Sequence, residues 1–239
     1  MTVILIILAL YCALFIYEIG HIIAIKINKL NAEEIVVGFG PKLFCISGEQ
    51  TKYIVKLIPL GSYTKIGEEK SLDGDNRGFY EVSCIKRIFT MASGIIFSFI
   101  VMIIIQSIVG CLTNTGINLI EVLSSGFDYC VEYVFDFYSA ICKIAISKEI
   151  SLWMLLKMMV SNGIDTLGIG VGLFLYLLVN ILGIFVAINI FPLPIFAGGQ
   201  VIIEIIKGVF KVDIIESKLT IVNIISLVLS IVFFIYLLL

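Results

Sequence analysis

Charge is what this sequence has least of. Of its 239 residues, 14% are charged and 60% are hydrophobic; soluble domains carry roughly 25% charged and 45–50% apolar residues. That balance excludes a soluble globular protein and a disordered tail. The formal net charge is −2, so the chain has no strong claim on a polyanion, and no nucleic acid is expected as a partner. Histidine is nearly absent: His21 is the only one. None of the six cysteines (Cys12, Cys45, Cys84, Cys111, Cys130 and Cys142) stands in a Cys-x-x-Cys pair, which removes the zinc-ribbon and thioredoxin-like motifs. They read as buried inert thiols, with a Cys130–Cys142 disulfide left open.

What is there in quantity is apolar sequence in long runs. A membrane-spanning helix needs about 20 such residues. Four stretches qualify, at about 2–25, 88–112, 169–191 and 219–239. The fold expected is an α-helical polytopic membrane protein of about four spans, in one domain over 1–239, with the lipid bilayer as its solvent. No basic stretch precedes the first run and no small-residue cleavage site follows it, so it reads as a retained helix.

Basic residues are unevenly placed. Ten of the sixteen lie between the first two spans, from Lys26 to Arg87. The positive-inside rule then sets that connection in the cytoplasm and both termini outside. The compact Ile- and Lys-rich chain points to a bacterial plasma membrane. Within the same connection, residues 33–66 are β-branched, aromatic and punctuated by Gly and Pro. They predict a small membrane-associated hairpin or sheet, turning at Ser47-Gly48-Glu49. Residues 67–78 read as a polar surface turn. Asp73 and Asp75 suggest a calcium loop, but its twelfth position is Cys84 rather than Glu. Residues 117–160 carry spaced acids at Glu121, Asp128, Glu132 and Asp136, and predict an amphipathic segment on the outer surface, with Trp153 as a headgroup-level anchor.

Ionisable side chains inside a span are costly and point to a site. Glu18 and His21 lie three apart in the first span, on one helix face. Residues 17–21 read Tyr-Glu-Ile-Gly-His, in register with the zinc-protease pattern His-Glu-x-x-His except at Tyr17. Far downstream, Pro192 and Pro194 break the third apolar run, and Gly198-Gly199 permits a tight turn before a helix resumes. Irregular backbone at membrane depth is tolerated where it is buried in protein or lines a watery cavity.

Together these motifs resemble the site-2 protease family of intramembrane zinc metalloproteases. Tyr17–His21 stands where that family has His-Glu-x-Gly-His. Gly38-Phe39-Gly40-Pro41 is similar to its glycine-rich strand, and Pro59-Leu60-Gly61-Ser62-Tyr63 to its Pro-Leu-Gly-Gly-Tyr loop. Arg87 with Met91-Ala92-Ser93-Gly94 resembles the entry to its second helix. Asn189-x-x-Pro192-x-Pro194-x-x-Ala197-Gly198-Gly199 is similar to its Asn-x-x-Pro-x-Pro-x-x-Asp-Gly-Gly. The resemblance runs along nearly the whole chain, with no room for the family's inserted PDZ domain.

The resemblance implies a zinc held by two histidines and an aspartate, with the glutamate as general base. Glu18 keeps the base position and His21 one ligand position. Tyr17 and Ala197 occupy the other two. Catalytic zinc takes three protein ligands; alanine has no donor, and a neutral phenol with pKa near 10 is a poor one. Cys12 points well away from His21, five residues before Tyr17 and about 500° round the helix. The resemblance also implies that Gly38, Phe39, Gly40, Pro59, Leu60, Gly61, Asn189, Pro192, Pro194 and Gly198 shape a substrate-binding surface, where a client adds as a strand. The expectation is a pseudoprotease that binds a transmembrane or peptide client, with no cofactor. The alternative is an active atypical metalloprotease that does hold zinc. A proton-coupled transporter fits less well, because no repeat is present.

Overall fold

The structure, a computed structural model, describes residues 2–48, 51–67, 77–113, 118–147, 152–210 and 216–238. The apolar runs contain nothing that stops a helix, and they form α1 (Thr2–Asn28), α2 (Cys84–Thr113), α5 (Val171–Ile190) and α7 (Glu216–Leu238). All four are long and apolar enough to cross a membrane, the number the sequence implied. Between them lie α3 (Leu119–Ser147), α4 (Leu152–Leu167) and α6 (Ala197–Phe210), and two strands follow α1: β1 (Ala32–Ser47) and β2 (Lys52–Ile66). The predicted turn around Asp73 and Asp75 lies outside the described residues. All six cysteines are free thiols; Cys130 alone is fully buried, while Cys142 is exposed.

Helix α5 is the centre of the bundle. Ten of its twenty residues are buried, including Leu173, Leu177 and Leu182, and they pack with Ala9 and Ala13 of α1 and Met102 of α2. Lipid tails are as apolar as leucine, so helices in a bilayer associate through close packing of small residues. The α1–α2 crossing follows that rule. A Cβ on Gly20 would stand 2.5 Å from the Ser93 carbonyl oxygen and 2.7 Å from Phe97 Cβ. Gly20→Ala should therefore force the two helices apart and cost about 1–3 kcal/mol, as overpacking does. Thermal unfolding of the detergent-solubilised chain checks this; an unshifted midpoint would mean the crossing is looser than described.

The strands do more than form a simple hairpin. Ile35, Val36 and Val37 face Thr64, Tyr63 and Ser62, running in opposite directions, and also face Tyr53, Ile54 and Val55, advancing together. The first half of β1 is thus flanked by both halves of β2. The second half of β1 folds back, pairing Phe44, Cys45, Ile46 and Ser47 with Val55, Ile54, Tyr53 and Lys52. Two bends make this possible, at 38–42 and 56–61. The first needs glycine: Gly38 has φ 91° and Gly40 has φ 82°, a region that L side chains rarely adopt. At Gly38 a side chain would also meet the Lys56 carbonyl oxygen at 2.7 Å.

The sheet lies along α1 instead of beyond its end. The Tyr11 hydroxyl, 2.8 Å from both the Lys56 and Leu57 carbonyl oxygens, donates to this bend. Tyr11 precedes Asn28 by 17 residues, about 25 Å along a helix rising 1.5 Å per residue. The hydrocarbon core of a bilayer is about 30 Å thick. The bends accordingly expose Phe39, Leu43, Leu57 and Leu60, the last at 73%.

Residues 117–160, expected as an amphipathic segment, hold α3 and α4. Helix α3 lies alongside α2 and α5. Gly126 packs on Ser107 and Ile103 of α2. The Tyr133 hydroxyl donates to the Asn180 carbonyl at 3.1 Å, and Tyr138 to that of Ala187 at 2.6 Å. The amphipathic pattern holds, with Val122, Cys130 and Ile144 buried and the four acids exposed. What the pattern does not show is that the tyrosine hydroxyls find carbonyl partners down the length of α5. Trp153 lies in the first turn of α4, but its side chain lies outside what is described.

Candidate functional site

The residues singled out on α1 meet the rest of the site where α1 crosses α2 and the end of α5. Tyr17, Glu18 and His21 share one stretch of helix, and each is held by a different element. The Tyr17 hydroxyl donates to Asn189 Oδ1 of α5 at 3.2 Å. The Asn189 Nδ2 donates in turn to the Phe185 carbonyl at 2.9 Å, which fixes the amide orientation. Glu18 is 2% exposed. Its Oε2 accepts a 2.5 Å hydrogen bond from the Thr64 hydroxyl of β2, while Oε1 has no partner.

His21 points to α2. Its Nδ1 lies 2.9 Å from the Thr90 carbonyl oxygen. A carbonyl can only accept, so Nδ1 carries the proton and Nε2 is the free lone pair. Ser93 Oγ stands 3.2 Å from the same Nδ1 and donates to the Thr90 carbonyl at 2.7 Å. A carbonyl behind the ring is the usual outer support of a metal-binding histidine. The Tyr17 and His21 rings meet edge to face, with centroids 4.9 Å apart. Gly94 makes room for both: a Cβ there would lie 2.6 Å from His21 Nε2 and 2.8 Å from the Tyr17 ring.

Downstream, the Pro-x-Pro segment turns sharply out of α5 into α6. Phe191 N–H bonds the Ile188 carbonyl, and Leu193 and Phe196 close successive turns through Pro192 and Pro194. Two glycines let α6 start against this loop. Any side chain on Gly198 would run into the Ile190 carbonyl, and one on Gly199 into that of Leu193. Ala197 opens α6 beside them and is buried. The segment thus sits next to Asn189, whose carbonyl would be 2.9 Å from a Gly198 Cβ. Far from α1 in sequence, α6 is tied to α2 by charge. Arg87 Nε meets Glu204 Oε2 at 2.7 Å, and Lys207 meets Oε1 at 3.2 Å.

The predicted substrate surface separates into two parts. Gly38, Phe39, Gly40, Pro59, Leu60 and Gly61 form the two bends, and a Cβ on Gly61 would touch the Phe39 ring at 2.7 Å. Asn189, Pro192, Pro194 and Gly198 lie at the α5–α6 break. Thr64, through its bond to Glu18, joins the sheet to the site. Thr64, Thr90 and Glu204 were missed in the sequence. Thr64 and Thr90 carry no local signal. Glu204 does, as a lone acid between Ile203 and Ile205 on an amphipathic helix.

The donor set does not fit a three-ligand catalytic zinc. Among the described residues no three His, Cys, Asp or Glu side chains gather. Nε2 of His21 and Oε1 of Glu18 are the available atoms; the Tyr17 hydroxyl is spent on Asn189, and Ala197 offers nothing.

Comparison with known proteins places this geometry. Residues 5–233 match the model of peptidase family M50. A candidate zinc metalloprotease of Clostridium acetobutylicum is 33% identical over 109 residues, covering 46% of this chain and 32% of that protein. One from Clostridium perfringens is 34% identical over 106 residues, covering 44% and 31%. The zinc metalloprotease RasP of Bacillus licheniformis is 34% identical over 68 residues, covering 28% and 16%. The alignments thus span about a third or less of the length of these curated relatives. With the family match running almost end to end and the site motifs in the family's order, this membrane-embedded chain belongs to peptidase family M50, the site-2 protease family.

Proposed function

We propose that this M50 member is a pseudoprotease that binds an extended client segment, part of a transmembrane helix or a peptide, without cutting it and without a bound metal. The observation that carries the reading is the Tyr17–Asn189 hydrogen bond. At the first histidine position stands a phenol already committed to a neighbour, and at the aspartate position stands Ala197. The binding parts remain: the two glycine bends, Pro59-Leu60-Gly61, Asn189 and the Pro-x-Pro break. Strand addition supplies affinity through backbone hydrogen bonds, with no catalytic group required. The first connection lies on the cytoplasmic side and both termini outside.

The alternative is an active, atypical metalloprotease. It is favoured by the unpartnered Glu18 Oε1 and by the Thr90 carbonyl behind His21. One experiment separates the two. The full chain in nanodiscs is given apolar 20-residue peptides bearing a photocrosslinker, with and without N-methylation at alternate backbone nitrogens. The pseudoprotease crosslinks the plain peptide, loses most of that yield with the N-methylated one, and releases no fragments. Cleavage that disappears in Glu18→Gln establishes the active enzyme instead.

A further inference from the structure

The two bends of the sheet bring a pair of lysines together at the level of Tyr11, partway along the apolar run of α1. Lys42 lies opposite Lys56 across the strands. The bend that carries Lys56 is held by the Tyr11 hydroxyl, about 25 Å along α1 from Asn28. Exposed Phe39, Leu43, Leu57 and Leu60 lie close to the pair in sequence. Like charges in facing positions repel, and a lysine within the hydrocarbon region is expensive unless it is compensated. Among the described residues, the three salt bridges involve Lys65, Arg87 and Lys207, and neither Lys42 nor Lys56. The acids of the sheet do not help. Glu33 is bonded to Lys65, and Glu34 stands in register with Lys52 and Lys65 at the opposite end of the sheet. Glu18 is bonded through Oε2 to Thr64. Lys56 Nζ stands 5.7 Å over the Tyr63 ring, a contact that offsets only part of the cost.

We infer that the client carries an acidic side chain, Asp or Glu, within its otherwise apolar segment, and that Lys42 and Lys56 neutralise it. The inference rests on the reading of the site as a holder of extended clients. Position supports it. Lys56 lies over Tyr63, the residue beside Thr64, and Thr64 touches Glu18. A strand advances about 3.3 Å per residue, so a client lying along 62–66 meets the cations roughly two residues from the point facing Glu18. Depth selects among anions: lipid phosphates lie outside the hydrocarbon core, whereas a side chain travels with the client to the bends. A side chain also lets the client backbone continue past the lysines, which a terminal carboxylate would not.

The test uses the full chain in nanodiscs of neutral phosphatidylcholine. The probes are two 20-residue apolar peptides with amidated C-termini, identical except for one Asp or Asn at a scanned position. At one register the Asp peptide should bind about tenfold tighter than the Asn peptide. Lys42→Gln with Lys56→Gln should bring the ratio to about one, while Lys42→Arg with Lys56→Arg keeps it, which excludes misfolding as the cause. Equal binding of the two peptides at every register overturns the acidic-client inference and leaves the strand-holding reading standing. A preference that survives the double glutamine variant, or that vanishes when anionic phosphatidylglycerol is added, overturns it as well; the latter result assigns the lysines to lipid. Binding of neither peptide sinks both readings.

Discussion

Arg87→Ala should lower the thermal midpoint of the detergent-solubilised protein by roughly 6–20 °C. Breaking one partner out of a buried ion pair costs about 3–5 kcal/mol, and each kcal/mol is worth about 2–4 °C in a chain of this size. Glu204 is 2% exposed, and both of its oxygens are engaged, by Arg87 at 2.7 Å and by Lys207 at 3.2 Å. Arg87 also donates through Nη1 to the Val82 carbonyl at 2.8 Å. It therefore ties the segment before α2 to α6, the helix that carries Ala197 and the two glycines. Removing the guanidinium leaves the carboxylate with one partner and separates these elements. Arg87→Met with Glu204→Leu should recover most of the loss, since apolar replacement of a whole buried pair is often neutral. A single alanine variant that melts within about 2 °C of the parent would show that solvent already reaches the pair.

The second large effect concerns metal. Purified parent protein is expected to carry no stoichiometric zinc, while Tyr17→His with Ala197→Asp should carry about one zinc per chain by elemental analysis. Parts of the scaffold for such a site are present. The Thr90 carbonyl holds the His21 ring with Nε2 free, and Gly94, lacking a side chain, leaves room for both ring positions where α2 comes close. Ala197 opens α6, and a carboxylate in the first turn of a helix is favoured by its dipole. The substitution gives up the Tyr17–Asn189 hydrogen bond, worth about 1 kcal/mol, a small loss beside the affinity of three matched ligands. Tight zinc in the parent that is lost in His21→Ala would end the pseudoprotease reading. A double variant that gains none would mean that α1 and α6 no longer hold the spacing the family site requires.

Several local features of the candidate site were legible without coordinates. Glu18 and His21 share a face because they are three apart on a helix. The break at Pro192 and Pro194 is visible because proline removes an amide donor wherever it stands. Gly38 and Gly40 read as part of a glycine-rich strand; that the chain bends there, with both in the left-handed conformation, came only from the structure. The partners were not legible. Thr64 reaches Glu18 from 46 residues away, and Asn189 reaches Tyr17 from 172 away. No spacing rule links positions so far apart. Helix α3 makes the same point. Its acids mark the exposed face, whereas the bonds from Tyr133 and Tyr138 to carbonyls along α5 depend on which helix stands beside them.

The sequence by itself determined the number of apolar helices, because each needs only a sufficient run of apolar residues. It also determined that His21 is the one imidazole this sequence offers. The tertiary structure alone decided what the surviving groups do. It turned Tyr17 toward Asn189, set Thr64 on Glu18, and carried Lys42 and Lys56 down along α1 to the level of Tyr11. Those outcomes come from packing between distant segments, where close approach at Gly20 and Gly94 and the reach of a few hydroxyls select the partner.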